Sequence, residues 1–381
     1  MTESMNVHVY PAPIVNESRI FRETKAVAEA GLFERIVVTG QRAAGLPDVE
    51  RLDEVRSIER VGSVADERPR SIVGRIREQI SWSVATYRRW RSRPVRVVNA
   101  HSVAVLPVCH AIARRHRAAL IYDTHELETE TSTSNGIQGK IFRMIERHYV
   151  RRCDAVFVVN ESIADWYRAA YPGARVTSVR NAPNRGRDPQ DVDLRRKFDI
   201  PAGARVYVHV GNIVAHRRVP EILEAFRGRE SAGDHIVFIG SGVLESLVRA
   251  AAEKHANIHL LGSVPADEVV DTVAGGDVGF CLIEATCLSY ALSLPNKALE
   301  YSMAGIPFFS TDLVEVDRLL GAEAAAWKID GDAASIVRAL SSLTDDDIAA
   351  GRRAIAAVEL PDWQTESASM LDEYRRARGT A

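Results

Sequence analysis

Short β-branched runs alternate with amphipathic helical stretches along almost the whole chain. The runs of the first half that predict strands are Val7–Tyr10, Ile36–Thr39, Val97–Ala100, Leu120–Asp123, Ala155–Val159 and Val176–Val179. The helical stretches between them include 18–30, 103–117, 138–152 and 162–170. This alternation predicts a parallel sheet with helices on both faces.

The pattern then starts again. The segment NAPNRGRDPQD, which begins at Asn181, is typical of a linker because Pro, Gly, Asn and Asp dominate it. Five further strands are predicted beyond it: Val206–Val210, Ile236–Ile239, Ile258–Leu261, Val278–Leu282 and Pro307–Ser310. A chain of 381 residues also exceeds what one hydrophobic core usually serves. We therefore predict an α/β protein of two doubly wound domains, 1–184 and 185–361, followed by a terminal helix in 362–381.

Composition favours a reduced, cytoplasmic protein. The four cysteines (Cys109, Cys153, Cys281 and Cys287) form no CxxC pair and no metal-binding set. The amino terminus lacks the basic and apolar regions of a secretory signal, and no apolar run reaches the length of a membrane span. The net charge of −2 is not that of a nucleic-acid-binding protein.

Charge is nevertheless unevenly distributed. Residues 1–187 carry 30 Lys and Arg against 21 Asp and Glu, whereas the remainder carries 19 against 30. The segment 68–93 holds eight arginines and one acid, Glu78, with Ile72, Ile76, Ile80, Trp82 and Trp90 interleaved at helical spacing. A solvated amphipathic helix is the plainer interpretation, and peripheral contact with an anionic membrane is the alternative.

The segment SYALSLPNKALEYSMAGIPFFSTD, from Ser289 to Asp312, carries the most chemical information. Pro295 suits the first position of a helix, with Ser293 or Leu294 at its cap and Gly305 as its stop. Lys297 would then add a cation to a helix amino terminus, a conflict that a bound phosphate removes. Glu300 follows on the same side, where its carboxylate would accept hydrogen bonds from a ribose diol. An ordinary surface pair of Lys297 with Glu300 is the alternative.

Two other segments place polar groups at strand ends, where ligands bind in such sheets. In VYVHVGNIVAHRRVPEILEAF, Gly211 permits close backbone approach, and Arg217 and Arg218 precede a helix, which suits a diphosphate. A solvated basic loop is the alternative. In LIYDTHE, a strand ends at Asp123, His125 and Glu126, and His125 would bind a sugar hydroxyl or transfer a proton. A structural histidine beside Asp123 is the alternative there.

Several motifs are absent from the sequence. GxGxxG after the first strand, GxxxxGK[ST] and GxSxG are all missing, and Thr129 stands where HExxH needs its second histidine. Asp191-Val-Asp193 resembles a DxD metal motif, but its place before LRRKF favours helix capping. We therefore infer no required metal and no cofactor beyond the substrate itself.

The motifs, taken in order, resemble those of the GT-B glycosyltransferases, specifically the retaining enzymes of family four. In the first half the similar segments are Asp123-Thr-His-Glu126, Glu146, Cys153 to Asn160 and Asn181-Ala-Pro183. In the second half they are Gly211 to Arg218, Ile239-Gly240-Ser-Gly242, Leu261 to Pro265, Gly276 to Gly279, Pro295 to Tyr301 and Ala304 to Pro307. The resemblance covers nearly the whole chain and implies two facing Rossmann-like domains, with the terminal helix packed back on the first.

The resemblance also implies residue roles. Glu300 would bind the nucleotide ribose, while Arg217 (or Arg218) and Lys297 would stabilise the donor diphosphate. Backbone near Ser293, Leu294 and Asn296 would meet the distal phosphate. The glycine positions Gly211, Gly240 and Gly262, with Asn212, would complete the donor site. Arg19, Asp123, His125 and Glu126 would face the acceptor, and His125, Arg217 and Lys297 are the catalytic candidates.

Three positions depart from the family pattern. Leu292 stands where a sugar-binding glutamate is frequent, although some members carry Ser-Leu-Pro-Asn-Lys, as here. Asn212 replaces an arginine after Gly211, and Pro11 to Arg19 replaces a glycine-rich loop.

The sequence thus predicts a hexosyltransferase that moves a sugar from a nucleoside diphosphate, such as a UDP-sugar, to an acceptor hydroxyl in polysaccharide, glycolipid or glycoside synthesis. A UDP-sugar 2-epimerase of the same architecture and a non-catalytic partner subunit are the alternatives.

Overall fold

The computed structural model describes residues 4–15, 17–64, 72–132, 136–183, 192–229, 232–321 and 326–380. The chain divides into two compact units. Unit 1 comprises Met1–Asn181 with Gln364–Ala381, and unit 2 comprises Ala182–Trp363. The first change of unit falls within the predicted linker, three residues before the boundary that the sequence suggested.

Unit 1 is built on one sheet. Its strands are β1 (Met5–Val9), β2 (Arg35–Gln41), β3 (Val49–Arg51), β4 (Arg56–Val61), β5 (Val97–Ala100), β6 (Ala119–Asp123), β7 (Ala155–Val158) and β8 (Val176–Ser178). In the described residues they lie in the order β3-β4-β2-β1-β5-β6-β7-β8. All neighbours pair in parallel except β3, which runs antiparallel to β4.

The helices of unit 1 lie between these strands. They are α1 (Ser18–Glu29), α2 (Ile72–Trp90), α3 (Leu106–His116), α4 (Ile137–Tyr149) and α5 (Glu161–Ala170). The central strands β1, β5, β6 and β7 are buried along their whole length. β7 accordingly appears in the sequence as a continuous apolar run, whereas β1 and β5 carry the buried polar residues Asn6, His8 and Asn99 within theirs.

Unit 2 repeats the architecture with a smaller sheet. Its strands are β9 (Arg205–Val210), β10 (Asp234–Ile239), β11 (Ile258–Gly262), β12 (Val278–Cys281), β13 (Phe308–Ser310) and β14 (Ala326–Lys328). Within the described residues they pair in parallel in the order β11-β10-β9-β12-β13-β14.

Its helices are α6 (Leu194–Lys197), α7 (Val219–Phe226), α8 (Glu245–Ala252), α9 (Val269–Ala274), α10 (Leu288–Ala291), α11 (Asn296–Met303), α12 (Val314–Leu320), α13 (Ala333–Ser342) and α14 (Asp345–Ala356). The predicted doubly wound α/β fold class is thereby confirmed.

The structure adds three strands that the sequence analysis missed, namely β3, β4 and β14. Each lies at or next to a sheet edge. β4 (RSIERV) carries three charges and β3 is largely exposed, so neither shows the apolar pattern of a central strand.

The final helix, α15 (Trp363–Thr380), belongs with unit 1 from Gln364 onward. Tyr374 is fully buried there, and its hydroxyl accepts a hydrogen bond of 2.7 Å from Asn99 Nδ2 at the end of β5. This single contact joins residues 275 positions apart in the sequence.

The arginine-rich stretch forms α2, although its first residues, 68–71, lie outside the described ones. Trp82 and Trp90 are buried, whereas Ile76 and Ile80 are exposed. None of the described helices is both long and apolar enough to span a membrane. Asp191 also lies outside the described residues, and Asp193 caps α6 by accepting a hydrogen bond from Arg196 N.

Candidate active site

A polar cluster lies at the carboxyl ends of the central strands of unit 1. Asp123 is the last residue of β6 and is completely buried. Arg19 of α1, also buried, holds it through Nη2 at 2.6 Å and Nε at 3.1 Å. Burial favours the neutral acid, but the Arg19 guanidinium and hydrogen bonds from His101 and His125 hold the pKa of Asp123 well below its usual range. Asp123 is therefore a fixed anion.

Two histidines meet this anion. His101, just after β5, has Nδ1 at 2.9 Å from Asp123 Oδ2 and 3.1 Å from His125 Nε2. His125 Nε2 lies 3.3 Å from the same carboxylate oxygen, and its ring stacks on Tyr10. Of these groups, His125 alone is partly open to solvent, with 22% of its side chain exposed against 0% for Asp123 and His101. It is the member of the trio that a molecule from solvent can reach.

A buried chain of hydrogen bonds orients these rings from behind. Asn6 Nδ2 donates to Val97 O and to Asn99 Oδ1, so Asn6 Oδ1 must accept from His8 Nε2, at 2.6 Å. His8 Nδ1 in turn lies 2.8 Å from His101 Nε2. Burial, the largest effect, lowers the pKa of both His8 and His101. The sequence analysis did not single out His8 or His101. The only available signal was that each polar residue stood inside or just after an apolar run.

The same trio brings three possible metal-ligand atoms within 4.8 Å of one another, and His8, Glu23 and His101 do likewise. Arg19 already neutralises Asp123, and each histidine already has a hydrogen-bond partner. The contacts of these residues in the structure are thus those of a hydrogen-bonded network.

The remaining acceptor-side candidates are placed differently from one another. Arg19 and Asp123 are both buried and paired with each other, so neither side chain is open to a ligand; of the two, Asp123 contacts the partly exposed His125. Glu126 is exposed, and its carbonyl oxygen accepts a hydrogen bond from Thr124. Glu128, which the sequence analysis did not single out, accepts hydrogen bonds from Ser102 Oγ and Val103 N, and burial raises its pKa to about 8.

In unit 2, the strand order reverses between β9 and β12, and a cluster of cationic groups lies at that point. Gly211 follows β9 with φ +99°. A Cβ on the neighbouring Gly240, which has φ +137°, would lie 2.0 Å from Gly211 O. Two backbone segments therefore approach each other here as only glycine allows.

Lys297 occupies the first turn of α11. The helix begins one residue later than we predicted, because Pro295 is its N-cap, with extended backbone, rather than its first residue. Lys297 is buried, with 6% exposure, and among the described residues its Nζ has no hydrogen-bond partner. Burial, reinforced by the positive charge of Arg217, lowers its pKa to about 8. The alternative of a surface Lys297–Glu300 pair is wrong, because the ammonium group lies in the interior.

The two neighbouring arginines differ. Arg218 is the left-handed N-cap of α7, and its Nη1 pairs with Glu221 at 3.0 Å and Glu284 at 2.9 Å. Arg217 forms no ion pair with any described residue. Its guanidinium lies 5.3 Å from the centre of the Tyr290 ring, and Nη1 is buried without a partner. Of these two arginines, Arg217 is therefore the one whose charge has no ion-pair partner among the described residues.

The other predicted donor residues surround this cluster in unit 2. Glu300 is half-buried one turn after Lys297 and raises the pKa of that lysine. Asn212 and Asn296 are exposed, Gly262 ends β11, and Ser293 Oγ donates to Tyr290 O. Leu294 packs against the hydrophobic core instead of facing solvent. Its side chain is thus structural, which leaves its backbone for the predicted role.

Two residues of this cluster were not predicted. His209 in β9 is fully buried, and burial, together with the nearby Lys297 and Arg217, lowers its pKa well below the usual range. Cys281, at the end of β12, lies close enough to Lys297 and Glu300 to affect its own pKa, which burial raises to about 12. A polar residue within an apolar strand was the sole hint in the sequence.

Both halves of the chain match family models of known proteins. Residues 17–185 match the family model described as Glycosyltransferase Family 4, and residues 204–346 match that described as Glycosyl transferases group 1. Glycogen synthases of Mycobacterium tuberculosis are 24% identical over 311 residues, which span 77% of this chain and 71% of theirs.

Solved structures show the same fold. Sucrose-phosphate synthase from Thermosynechococcus elongatus superimposes with a TM-score of 0.78 at 13% identity, over 99% of this chain and 100% of that one. Anabaena HepE in complex with UDP-glucose gives a TM-score of 0.67 at 10% identity, over 99% and 98% of the two chains.

Two Rossmann-like domains with these family matches define a GT-B glycosyltransferase, an enzyme that transfers a sugar from a nucleotide-sugar donor. The amino-terminal part of the chain matches the Glycosyltransferase Family 4 model, in agreement with its sequence motifs, and the carboxyl-terminal part matches the group 1 model. The epimerase alternative is not favoured by these matches.

Proposed function

We propose that Lys297 and Arg217 hold the donor diphosphate at the amino terminus of α11. The observation that carries this proposal is a pair of buried cationic groups, Lys297 Nζ and Arg217 Nη1, without partners among the described residues. Leaving a charged group buried and unpaired costs several kcal/mol, so such a pair is expected where a ligand anion completes the site. The helix amino terminus adds unpaired N–H groups to the same site.

Catalysis then follows from charge development. As the glycosidic bond to the diphosphate breaks, negative charge grows on the leaving oxygen. Lys297, Arg217 and the helix terminus stabilise it without reorganising, which is the largest contribution that such a site can make. The backbone at Gly211, Gly240 and Gly262 and the residues Asn212, Ser293, Leu294 and Asn296 line the donor, and Glu300 binds the ribose. Arg218, held by two carboxylates, positions the loop.

On the acceptor side, we assign the hydroxyl-binding role to His125. It is the partly exposed end of a network whose other members, Asp123 and Arg19, are buried. That network fixes the ring in place, so that it can form a hydrogen bond with an attacking hydroxyl. Glu126, exposed next to it, would contact the rest of the acceptor.

The finer features of the reaction extend the family resemblance. We propose transfer with retention of configuration, without a required metal, by an enzyme of the cytoplasm. The proposed donor is a UDP-sugar, since HepE was solved with UDP-glucose, although starch synthase IV from Arabidopsis thaliana was solved with ADP. We place the reaction in polysaccharide, glycolipid or glycoside synthesis.

The first experiment is a thermal-shift series with UDP, ADP and GDP, because a ligand that binds only the folded state raises stability by mass action. Glu300→Ala and Lys297→Met should each abolish the shift given by the cognate nucleotide. Lys254→Met, an exposed substitution, is the control and should retain it. An unaltered shift in both site variants would place the nucleotide elsewhere. Activity that survives EDTA would support metal independence, and its loss would refute it.

A further inference from the structure

An arginine-lined groove lies in unit 1, outside the polar cluster around Asp123. It is formed by α2 and the β3–β4 hairpin, and its volume is about 790 Å³. Five of the side chains that line it are arginines: Arg42, Arg60, Arg88, Arg89 and Arg93. Two acids, Asp48 and Glu59, face them.

The acids do not balance the arginines. Arg42 pairs with Asp48 at 2.6 Å, and Arg60 pairs with Glu50 at 2.9 Å. Glu59 alone serves both Arg89, at 2.7 Å, and Arg93, at 2.8 Å.

Arg88 is exposed and forms no ion pair with a described residue, while Arg42 Nε is buried without an acceptor. The groove therefore holds two unbalanced positive charges and an unsatisfied N–H group, which together suit a dianion.

An apolar ridge lies along α2 next to this groove, although its three residues do not themselves line the groove. Ile76, Ile80 and Val84 are exposed by 42%, 59% and 42%, and they follow one another in steps of four residues. One more step of four reaches Arg88. Residues at this spacing lie on one face of a helix, so the three apolar side chains end at the unpaired arginine.

We propose that this groove binds the phosphate or diphosphate head of an amphiphilic lipid, whose apolar chain lies along the ridge. Guanidinium forks match phosphate oxygens in pairs, and a phosphate supplies the two negative charges that the groove lacks. A purely water-soluble ligand fits this surface less well, because such a ligand would leave three large apolar side chains exposed to solvent.

This inference rests on the proposed function and names its acceptor class, a sugar linked to a lipid phosphate. Arg42 follows β2, and Asp123 ends β6 in the same sheet, with β1 and β5 between them. Three strand spacings correspond to about 14 Å. The sugar portion of the acceptor spans that distance between its phosphate and the hydroxyl that meets His125.

The test measures binding of farnesyl diphosphate to the full chain by isothermal titration calorimetry. We expect Arg88→Gln with Arg42→Gln to weaken binding at least tenfold, because each removes a phosphate contact. Arg91→Gln is the matched control, since it removes the same charge from an exposed position just beyond α2 that does not line the groove. The double substitution Ile80→Ser with Val84→Ser should weaken the binding of farnesyl diphosphate but leave the binding of inorganic pyrophosphate unchanged.

Three outcomes would overturn the inference. Equal binding of pyrophosphate and farnesyl diphosphate would indicate a site for free phosphate. Equal loss in the Arg91→Gln control would indicate general attraction to an anionic surface. Loss of lipid binding in Lys297→Met would show that the lipid diphosphate occupies the donor site. The same variant separates the two proposals, because it should abolish nucleotide binding and retain lipid binding.

Discussion

Lys297 carries its charge in the interior of unit 2, with no hydrogen-bond partner for Nζ among the described residues. Because its pKa is lowered from 10.5 to about 8, the folded protein holds this proton less tightly than the unfolded chain does. The folded state therefore bears a cost below pH 8, and this cost disappears as the pH rises from 8 towards 10.5. A bound diphosphate removes the same cost at neutral pH, so ligand binding and the free energy of unfolding both depend on Lys297.

The affinity for the cognate nucleoside diphosphate should fall above pH 8, by about tenfold per pH unit at the steepest. In that range the free protein has lost the Lys297 proton, and binding must take it up again. Calorimetry in buffers of different ionisation enthalpy would measure this uptake directly. Proton uptake near zero at pH 9 would contradict the role of Lys297.

Replacing Lys297 by methionine should stabilise the protein while abolishing its ligand binding. Lowering the pKa of this lysine from 10.5 to about 8 by burial corresponds to a cost on the order of 3 kcal/mol at neutral pH, part of which an apolar side chain of similar length recovers. Urea unfolding at pH 7 would give the gain in free energy of unfolding, and nucleotide titration the loss of binding. If Lys297→Met instead lowers the free energy of unfolding, the ammonium group must have a stabilising partner in the folded protein, which would contradict the prediction.

At the scale of elements, the donor site depends on how closely two strand ends of unit 2 approach. Gly240 N donates to Gly262 O, Gly211 N donates to Ile239 O, and a Cβ on Gly240 would collide with Gly211 O. The helix α15 shows the same dependence on distant partners, because Tyr374 reaches Asn99 across most of the chain length. Both contacts join segments that no local pattern connects.

Gly240→Ala should therefore lower the free energy of unfolding by more than the strain of its left-handed backbone alone would. Gly228→Ala is the matched control, since its φ of +77° is also left-handed but a Cβ there meets nothing within 4 Å. We expect about 1 kcal/mol for the control and at least 3 kcal/mol for Gly240→Ala, with loss of nucleotide binding in the latter alone. Denaturant unfolding would compare the two, and equal costs would contradict the steric argument.

At the scale of the whole molecule, the chain has two separate cores, each around its own parallel sheet. The proposed donor residues all lie in unit 2, while His125 and its buried network lie in unit 1. The charge follows the same division, with the basic half amino-terminal and the acidic half carboxyl-terminal.

A nucleoside diphosphate without acceptor should accordingly stabilise the core of unit 2 and leave that of unit 1 unchanged. Binding at a hundred times the Kd corresponds to about 2.7 kcal/mol of added stability. Hydrogen exchange followed by mass spectrometry would report this as slower exchange in β9 and β12 but not in β1 and β5. Equal slowing in both sheets would mean that the two cores unfold as one.

The alternation of apolar runs and amphipathic helices was sufficient to predict the α/β class, the two sheets and the family, because these depend on local periodicity and on motif order. Edge strands such as β4 escaped prediction, since charged side chains at a sheet border lack that periodicity. For the site, the sequence determined which residues stand at strand and helix ends, including Lys297, Arg217 and His125. Only the tertiary structure decided that Lys297 is buried and that its Nζ has no partner among the described residues. It also decided that Glu284 forms an ion pair with Arg218 and not with Arg217, and that His8 contacts His101. Burial and pairing arise between segments far apart in the chain, and for that reason no local pattern encodes them.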